Sequence, residues 1–270
     1  MKFGICNEIF QGWELAESMR FARSTGYDAI EIAPFTLAQN VCAIPPQRRS
    51  EIRRMAEDAG IAISGIHWVL VQTEGLHLTH PDAGTRQKTS EYFCHLVDFC
   101  ADIGGKTIVV GSPKQRNILE GVTLDQAWSW ARETFRKSVG VAEQRGVTIC
   151  FEPLAPSETN FINSAADAIR FVNEEPSDHF KIILDVKAMS SESKPIPQVI
   201  RESAPHFAYF HANDRNLKGP GFGDVAYEPI VAALRDTGYD GVVSVEVFIF
   251  DEGPKAIAER SLSYLKKVFA

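Results

Sequence analysis

The chain has 270 residues, 44% of them hydrophobic and 23% charged, which describes an ordinary globular protein able to bury a large core. Its net charge of −7, with no block of lysine or arginine, argues against binding to nucleic acid or to an anionic membrane surface. The five cysteines form no C-x-x-C pair, the N-terminus lacks the pattern of a signal peptide, and no apolar segment approaches the length of a membrane span. We therefore expect a reduced, cytoplasmic protein.

In the first half of the chain, apolar strands alternate with amphipathic helices and short Gly, Pro or Asp punctuation. The predicted strands cover residues 2–6, 28–33, 61–67 and 106–111. The predicted helices cover residues 13–24, 47–60, 84–103 and 124–144. Gly26, Gly60 and Gly146 predict the ends of three of these helices, because glycine readily adopts the left-handed conformation that closes a helix.

The second half continues the same alternation. Its predicted strands cover residues 147–152, 181–185, 207–211 and 242–246, and its predicted helices cover residues 164–173, 196–203, 227–236 and 255–269. Eight β-then-α units in one domain of residues 1–270 favour an α/β fold of the (β/α)₈ TIM-barrel type. An open doubly wound sheet stays as the alternative, although no G-x-G-x-x-G follows the first strand.

Each strand of the second half ends in one ionisable residue. These residues are Glu152, Asp185, His211 and Glu246. The carboxyl ends of parallel barrel strands meet at one face, which is where such barrels keep their sites. Three carboxylates and an imidazole crowded together would repel and desolvate one another unless a cation lay between them. The pattern predicts a divalent metal site, and the alternative is four separate surface residues at strand ends.

Four oxygen and nitrogen ligands leave about two positions of an octahedron open, which suits Mn²⁺ or Mg²⁺ better than a closed structural zinc site. A hydroxy-ketone could occupy both positions, with its carbonyl polarised by the metal and an enediolate stabilised when the α-proton leaves. Glu152 and Glu246 could then flank the substrate and move protons on its two faces. This arrangement predicts epimerisation of a hydroxy-ketone.

The motifs at the ends of strands five to eight, E-P, L-D, F-H and V-E, with GYDG at residues 238–241, resemble those of the xylose isomerase-like TIM-barrel superfamily. Within it the chain looks most like the ketose 3-epimerases and the sugar phosphate isomerase/epimerase proteins. The resemblance implies one divalent cation, Mn²⁺, Mg²⁺ or Co²⁺, on the four residues above, with Glu152 and Glu246 as acid and base. It also implies substrate contacts at Glu158 and Arg215, whose alternatives are a solvated loop acid and a salt-bridged loop arginine.

One position departs from that family. The epimerases usually carry a histidine three residues beyond the strand-six aspartate, where this chain has Ala188. The adjacent Lys187 could take over part of that role by binding a hydroxyl or a phosphate. The identity of the sugar is therefore open.

Further candidates for substrate binding follow strand three, where His67 and Trp68 end the run IHW; the alternative is a satisfied core histidine beside a packed tryptophan. Glu31 and Glu8 are weaker candidates for substrate contacts, and Trp13 could cover the mouth of the barrel or pack on its own helix. The glycine-rich segment 218–225 suggests a loop that closes over the site or an anion-binding nest.

The favoured function is a metal-dependent sugar isomerase or epimerase. A keto-sugar or inosose dehydratase is the alternative, because it uses the same enediolate chemistry with a leaving group. An abasic-site endonuclease and a metal-free sugar-binding module are further alternatives. The apolar helix faces leave a homo-oligomer open.

Overall fold

The computed structural model describes residues 1–270 and shows eight parallel strands closed into a barrel. The strands are β1 (Lys2–Cys6), β2 (Ala29–Ile32), β3 (Ala62–Ile66), β4 (Thr107–Val110), β5 (Thr148–Phe151), β6 (Phe180–Asp185), β7 (Phe207–Ala212) and β8 (Val242–Val245). Each strand pairs with the next along the chain, and β8 closes the barrel on β1, with Val245 opposite Ile5. The prediction of a single-domain TIM barrel is confirmed.

Helices surround the barrel and connect its strands. They are α1 (Leu15–Thr25), α2 (Pro46–Ala59), α3 (Ala83–Asp102), α4 (Leu124–Arg145), α5 (Ala165–Asn173), α6 (Val186–Met189), α7 (Ile196–Ser203), α8 (Glu228–Asp236) and α9 (Pro254–Val268). Gly26, Gly60 and Gly146 end α1, α2 and α4 in the left-handed conformation, as predicted. None of the helices combines the length and the apolar composition that crossing a membrane requires.

The strands alternate between two buried environments, because successive side chains of a strand point to opposite faces. On the outer face of β5, Phe151 packs against Phe135 of α4 and Phe171 of α5, with ring centroids 6.0 Å and 4.9 Å away. On the inner face, Cys150 belongs to a small separate apolar cluster with Val109, Ile183 and Tyr209. Continuing that inner face by two residues leads to the predicted ligands of β5, β6 and β7.

The one α-helix absent from the sequence-based prediction is α6, a single turn that begins directly after β6. Asp185 ends the strand and also caps this turn, since its Oδ1 accepts a hydrogen bond from the Ala188 N–H at 2.7 Å. The cap fixes the rotamer of Asp185 and places Lys187 and Ala188 at the mouth of the barrel. A four-residue turn is too short to show helical periodicity, which is why the sequence did not reveal it.

Candidate metal centre and active site

The four predicted ligands lie together at the carboxyl end of the barrel. One donor atom from each of Glu152, Asp185, His211 and Glu246 falls within 4.8 Å of the others. All four side chains are buried, with exposed fractions between 0% and 4%. Asp185 and His211 are directly opposite each other in the β6–β7 pairing, and the two glutamates each follow the last residue of their strand.

Room for the Glu152 carboxylate comes from a missing side chain on the neighbouring strand. Gly111 follows β4, and a Cβ atom built there would overlap Glu152 Oε2. Two non-bonded atoms cannot approach so closely. Glycine at this position therefore lets the carboxylate lie against the backbone and turn toward the other three ligands.

The donor set fits a divalent cation by its chemistry and by its hydrogen bonds. His211 Nδ1 and Glu246 Oε2 lie 3.2 Å apart, yet neither makes a hydrogen bond although both are buried. Buried polar atoms in proteins are almost always paired, so two such atoms converging on one point indicate a ligand that supplies their partner. Three carboxylates and one imidazole suit Mn²⁺ or Mg²⁺.

Glu31 of β2 orients the histidine from behind. His211 Nε2 lies 3.1 Å from Glu31 Oε2, which also accepts hydrogen bonds from the Tyr209 hydroxyl at 3.0 Å and, weakly, from the Cys6 thiol at 3.5 Å. A carboxylate that accepts from one ring nitrogen leaves the other, Nδ1, free to bind metal. Burial opposes the charge of Glu31, but His211 and His67 outweigh it and lower its pKa to about 2.

Asp185 is held by a second residue that the sequence did not single out. Asn213, just beyond β7, donates its Nδ2 to Asp185 Oδ2, and its Oδ1 accepts from the Lys187 N–H at 2.8 Å. With the Ala188 cap on Oδ1, both oxygens of Asp185 are fixed. The polar residues that follow His211 in the sequence indicated that some of them would contact the site. The sequence did not indicate that Asn213 would be the one that turns inward to Asp185.

The two glutamates have opposite proton preferences. Burial, together with the charges of Glu246 and Asp185, raises the pKa of Glu152 to about 8. Burial also disfavours the charged form of Glu246, but the adjacent His211 outweighs it and holds the pKa of Glu246 below its ordinary value. A bound proton and a bound metal ion would each compensate the negative charge of these carboxylates. Binding of a metal ion should therefore release protons.

A cavity of about 490 Å³ opens above the four ligands. Glu152 and Glu246 line it, together with Phe248, Lys187 and Glu158. This volume lies in the range usual for small-molecule sites, which is about 300–1,000 Å³. The cavity is therefore large enough for a small substrate, and it borders the two predicted acid/base residues.

Trp68 lies at the edge of this cavity and contacts Glu246. Its Nε1 donates to Glu246 Oε1 at 2.8 Å, while its ring is stacked between Phe35 at 5.7 Å and Phe248 at 5.8 Å. The residue has φ +51°, an uncommon value for a bulky side chain, and the stack and the hydrogen bond compensate that strain.

The predicted substrate-binding residues lie in different places. Trp68 and Glu158 line the cavity. The ammonium of Lys187 pairs with Glu158 Oε1 at 2.8 Å and lies 4.2 Å from the centre of the Phe248 ring.

The other two predicted substrate-binding residues lie outside this cavity. His67 is fully buried, with Nε2 2.9 Å from Glu8 Oε2. Arg215 has a side chain 60% exposed, lies 3.6 Å from Asp224 and borders a different cavity. Their roles as substrate contacts stay predictions.

Arg116 is a supporting residue that sequence reasoning missed. It lies in the loop after β4, is fully buried, and donates from its guanidinium to the backbone oxygens of Glu152 and Val110. Its side chain also stacks on Phe151, 4.5 Å from the ring centre. The arginine therefore fixes the backbone from which Glu152 projects. A lone arginine in a loop carries no sequence signal for burial of this kind.

Comparison with known proteins places the chain among sugar epimerases. The family model described as Xylose isomerase-like TIM barrel matches residues 19–268. A D-psicose 3-epimerase of Enterocloster bolteae is 32% identical over 261 residues, covering 94% of this chain and 84% of the relative. A 3-dehydro-D-guloside 4-epimerase of Escherichia coli is 24% identical and covers 98% of this chain and 99% of its own length.

A solved structure of a D-psicose 3-epimerase, determined in the presence of D-fructose, superposes with a TM-score of 0.87 at 22% identity, covering 100% of this chain and 99% of that one. At this identity the match supports the fold. The relatives above confirm the prediction of an isomerase of the epimerase type. The match over residues 19–268 and the similarity to these relatives show that the chain belongs to the xylose isomerase-like TIM-barrel family.

Proposed function

We propose that the chain is a divalent-metal-dependent epimerase of a ketose or a related hydroxy-ketone sugar. The observation that carries the proposal is the double position of Glu152 and Glu246, which belong to the ligand cluster and also line the cavity above it. Residues that hold the metal and face the substrate can move protons at the carbon beside the polarised carbonyl.

Glu152, Asp185, His211 and Glu246 would hold the cation, with Mn²⁺ as the best fit and Mg²⁺ or Co²⁺ as the alternatives. When bound, the cation would supply an electrophile that polarises the substrate carbonyl and stabilises an enediolate.

The protein residues would perform the proton transfers. One glutamate takes the proton from the carbon beside the carbonyl, and the other returns a proton to the opposite face, which inverts that centre. Strands β5 and β8 are separated by two strands in the barrel, so their glutamates reach the substrate from different sides. Trp68 orients Glu246 through its Nε1, and Arg116 fixes the backbone of Glu152.

The relatives favour epimerisation over the dehydratase alternative. D-psicose 3-epimerase and 3-dehydro-D-guloside 4-epimerase are both named for inversion of one sugar carbon, and both match most of this chain. Their names differ in the carbon inverted and in the substrate, so the proposal extends to a ketose or a keto-glycoside and leaves the carbon open.

Solvent exchange tests the mechanism. Product formed in D₂O should carry deuterium at the inverted carbon, because the returned proton comes from a group that exchanges with solvent. Glu152→Gln and Glu246→Gln should each retain metal but fail from opposite sides, so that one variant exchanges the substrate proton without completing the inversion and the other exchanges only from the product. Product without label, or two Gln variants with wild-type turnover, would exclude the two-base mechanism.

A further inference from the structure

A second cavity adjoins the one above the ligands and has no role in the chemistry described so far. Its volume is about 840 Å³, compared with about 490 Å³ for the cavity above the ligands. The two share the Trp68, Val71 and Gln72 side of their walls. A small ketose bound at Glu152 and Glu246 would leave this larger space beside it.

One residue that lines the second cavity is a buried acid with an unpartnered oxygen. Glu8 is 2% exposed, and its Oε1 has no hydrogen-bond partner. Its Oε2 pairs with His67 Nε2 at 2.9 Å. A buried acceptor without a donor indicates that a ligand supplies the donor.

The walls of the second cavity are aromatic. Phe10, Trp13, Phe35, Trp68 and Phe250 contribute to its lining. Trp13 packs at 5.5 Å from Phe10 and keeps part of its ring exposed, whereas Phe35 stacks on Trp68. Flat apolar faces beside a hydrogen-bond acceptor suit a ring that has both C–H faces and hydroxyl groups, as a sugar does.

The charges in the second cavity favour an uncharged group. Arg48 is its one lysine or arginine side chain, and that guanidinium is engaged by Glu51 at 3.1 Å. Glu8 and the exposed Glu14 contribute negative charge. A phosphate or carboxylate would meet these acids without a free cation to bind it, whereas a neutral polyhydroxylated group would donate its hydroxyl hydrogens to Glu8.

We infer that the second cavity is a subsite for a neutral sugar ring attached to the reacting ketose, so that the substrate is a glycosylated ketose rather than a free monosaccharide. The inference rests on the proposed function, because it takes the reacting ketose to lie over Glu152 and Glu246. Glu8 accepts hydroxyl hydrogen bonds from the attached ring, and Trp13 packs on one of its faces.

Binding is measured by titration calorimetry of the full chain, with and without Mn²⁺, using D-fructose and two glucosyl- or galactosyl-fructoses, isomaltulose and lactulose. At least one disaccharide should bind wild-type protein about tenfold or more tightly than fructose, the size of effect expected from one hydrogen bond to a charged group. Glu8→Gln and Trp13→Ala should each reduce this preference about tenfold. Glu17→Gln, an exposed glutamate of α1 outside the cavity, is the matched control and should leave all affinities unchanged.

The outcomes separate the subsite from the chemistry. Equal affinity for fructose and for both disaccharides, or a preference that survives both substitutions, overturns the subsite. Trp13→Ala decides the matter if Glu8→Gln does not fold. Deuterium incorporation into any of the three sugars is followed in parallel: its presence together with equal binding keeps the proposed epimerase and removes the subsite. Disaccharide-selective binding without any exchange keeps the subsite and removes the proposed chemistry.

Discussion

The two halves of the barrel both carry ionisable residues at their strand ends, but these residues serve different purposes. In the second half, β5 to β8, they converge in a cluster that could hold a metal ion. In the first half, Glu8, Glu31 and His67 lie after or within β1 to β3 and contact one another or His211. The second half brings its donor atoms together, and from the first half Glu31 lies behind His211 and orients its ring. Similar sequence patterns can therefore encode a ligand or its support, depending on which strand carries them.

The largest difference between the halves should appear on removing a ligand. His211→Ala and Asp185→Asn should each lower metal affinity more than about 100-fold. Residues that only hydrogen-bond to a metal ligand already contribute about 10- to 100-fold to metal affinity, and a ligand should contribute more. Metal content measured by inductively coupled plasma spectrometry, with far-ultraviolet circular dichroism as a folding check, tests this. Asp102→Asn, at a surface ion pair with Arg49, is the matched control. Stoichiometric metal in both site variants would reject the ligand set.

The two glutamates should show the next largest effect, on turnover. Glu152→Gln and Glu246→Gln keep an oxygen donor but remove the base, so we expect turnover to fall about 10²- to 10⁴-fold while metal largely remains. Initial rates at saturating Mn²⁺ measure it. Glu192→Gln, which alters an acid bonded to the Ala165 N–H outside the cavity, should leave the rate unchanged. Loss of metal in step with activity would mean that these residues are ligands alone.

Glu31→Gln tests the supporting role of the first half. The substitution would retain the size of the side chain but weaken the hold on the His211 ring, so metal affinity should fall about 10- to 100-fold. Calorimetric titration with Mn²⁺ gives the change. Turnover at saturating metal should recover to near the wild-type value, a result that a catalytic role of Glu31 would not allow.

The smallest expected effect concerns Trp68, which links the two halves. Trp68→Phe keeps an aromatic ring between Phe35 and Phe248 but removes the donor to Glu246, so turnover should fall about tenfold, in line with one hydrogen bond to a charged group. Trp128→Phe is the matched control, since its Nε1 donates to Glu174 on the outer face of the barrel. An equal rate in both variants would show that the bond to Glu246 has no role in catalysis.

Sequence reasoning found the barrel and the candidate ligands for the same reason. Apolar strands that each end in one ionisable residue give a local signal, and closure of the barrel then brings Glu152, Asp185, His211 and Glu246 together. It did not find Arg116 or Asn213, because their roles depend on which loop side chain turns inward. It considered Glu31 as a substrate contact, whereas the structure places it behind His211, away from the cavity. The side chain that a strand residue such as Glu31 contacts across the barrel can be identified only after the order of the strands is known.

Gly111 shows that the shape of the active centre depends on an atom that is missing. The residue has no left-handed backbone angle, so alanine would fit its conformation, and the contact with the Glu152 carboxylate is what opposes a methyl group. We therefore expect that a single added carbon would push Glu152 away from Asp185, His211 and Glu246 and lower activity, although all four predicted ligands would still be in the sequence. Relatives that keep all four ligands but carry a larger residue here would be expected to have lost this chemistry or to have moved the strand.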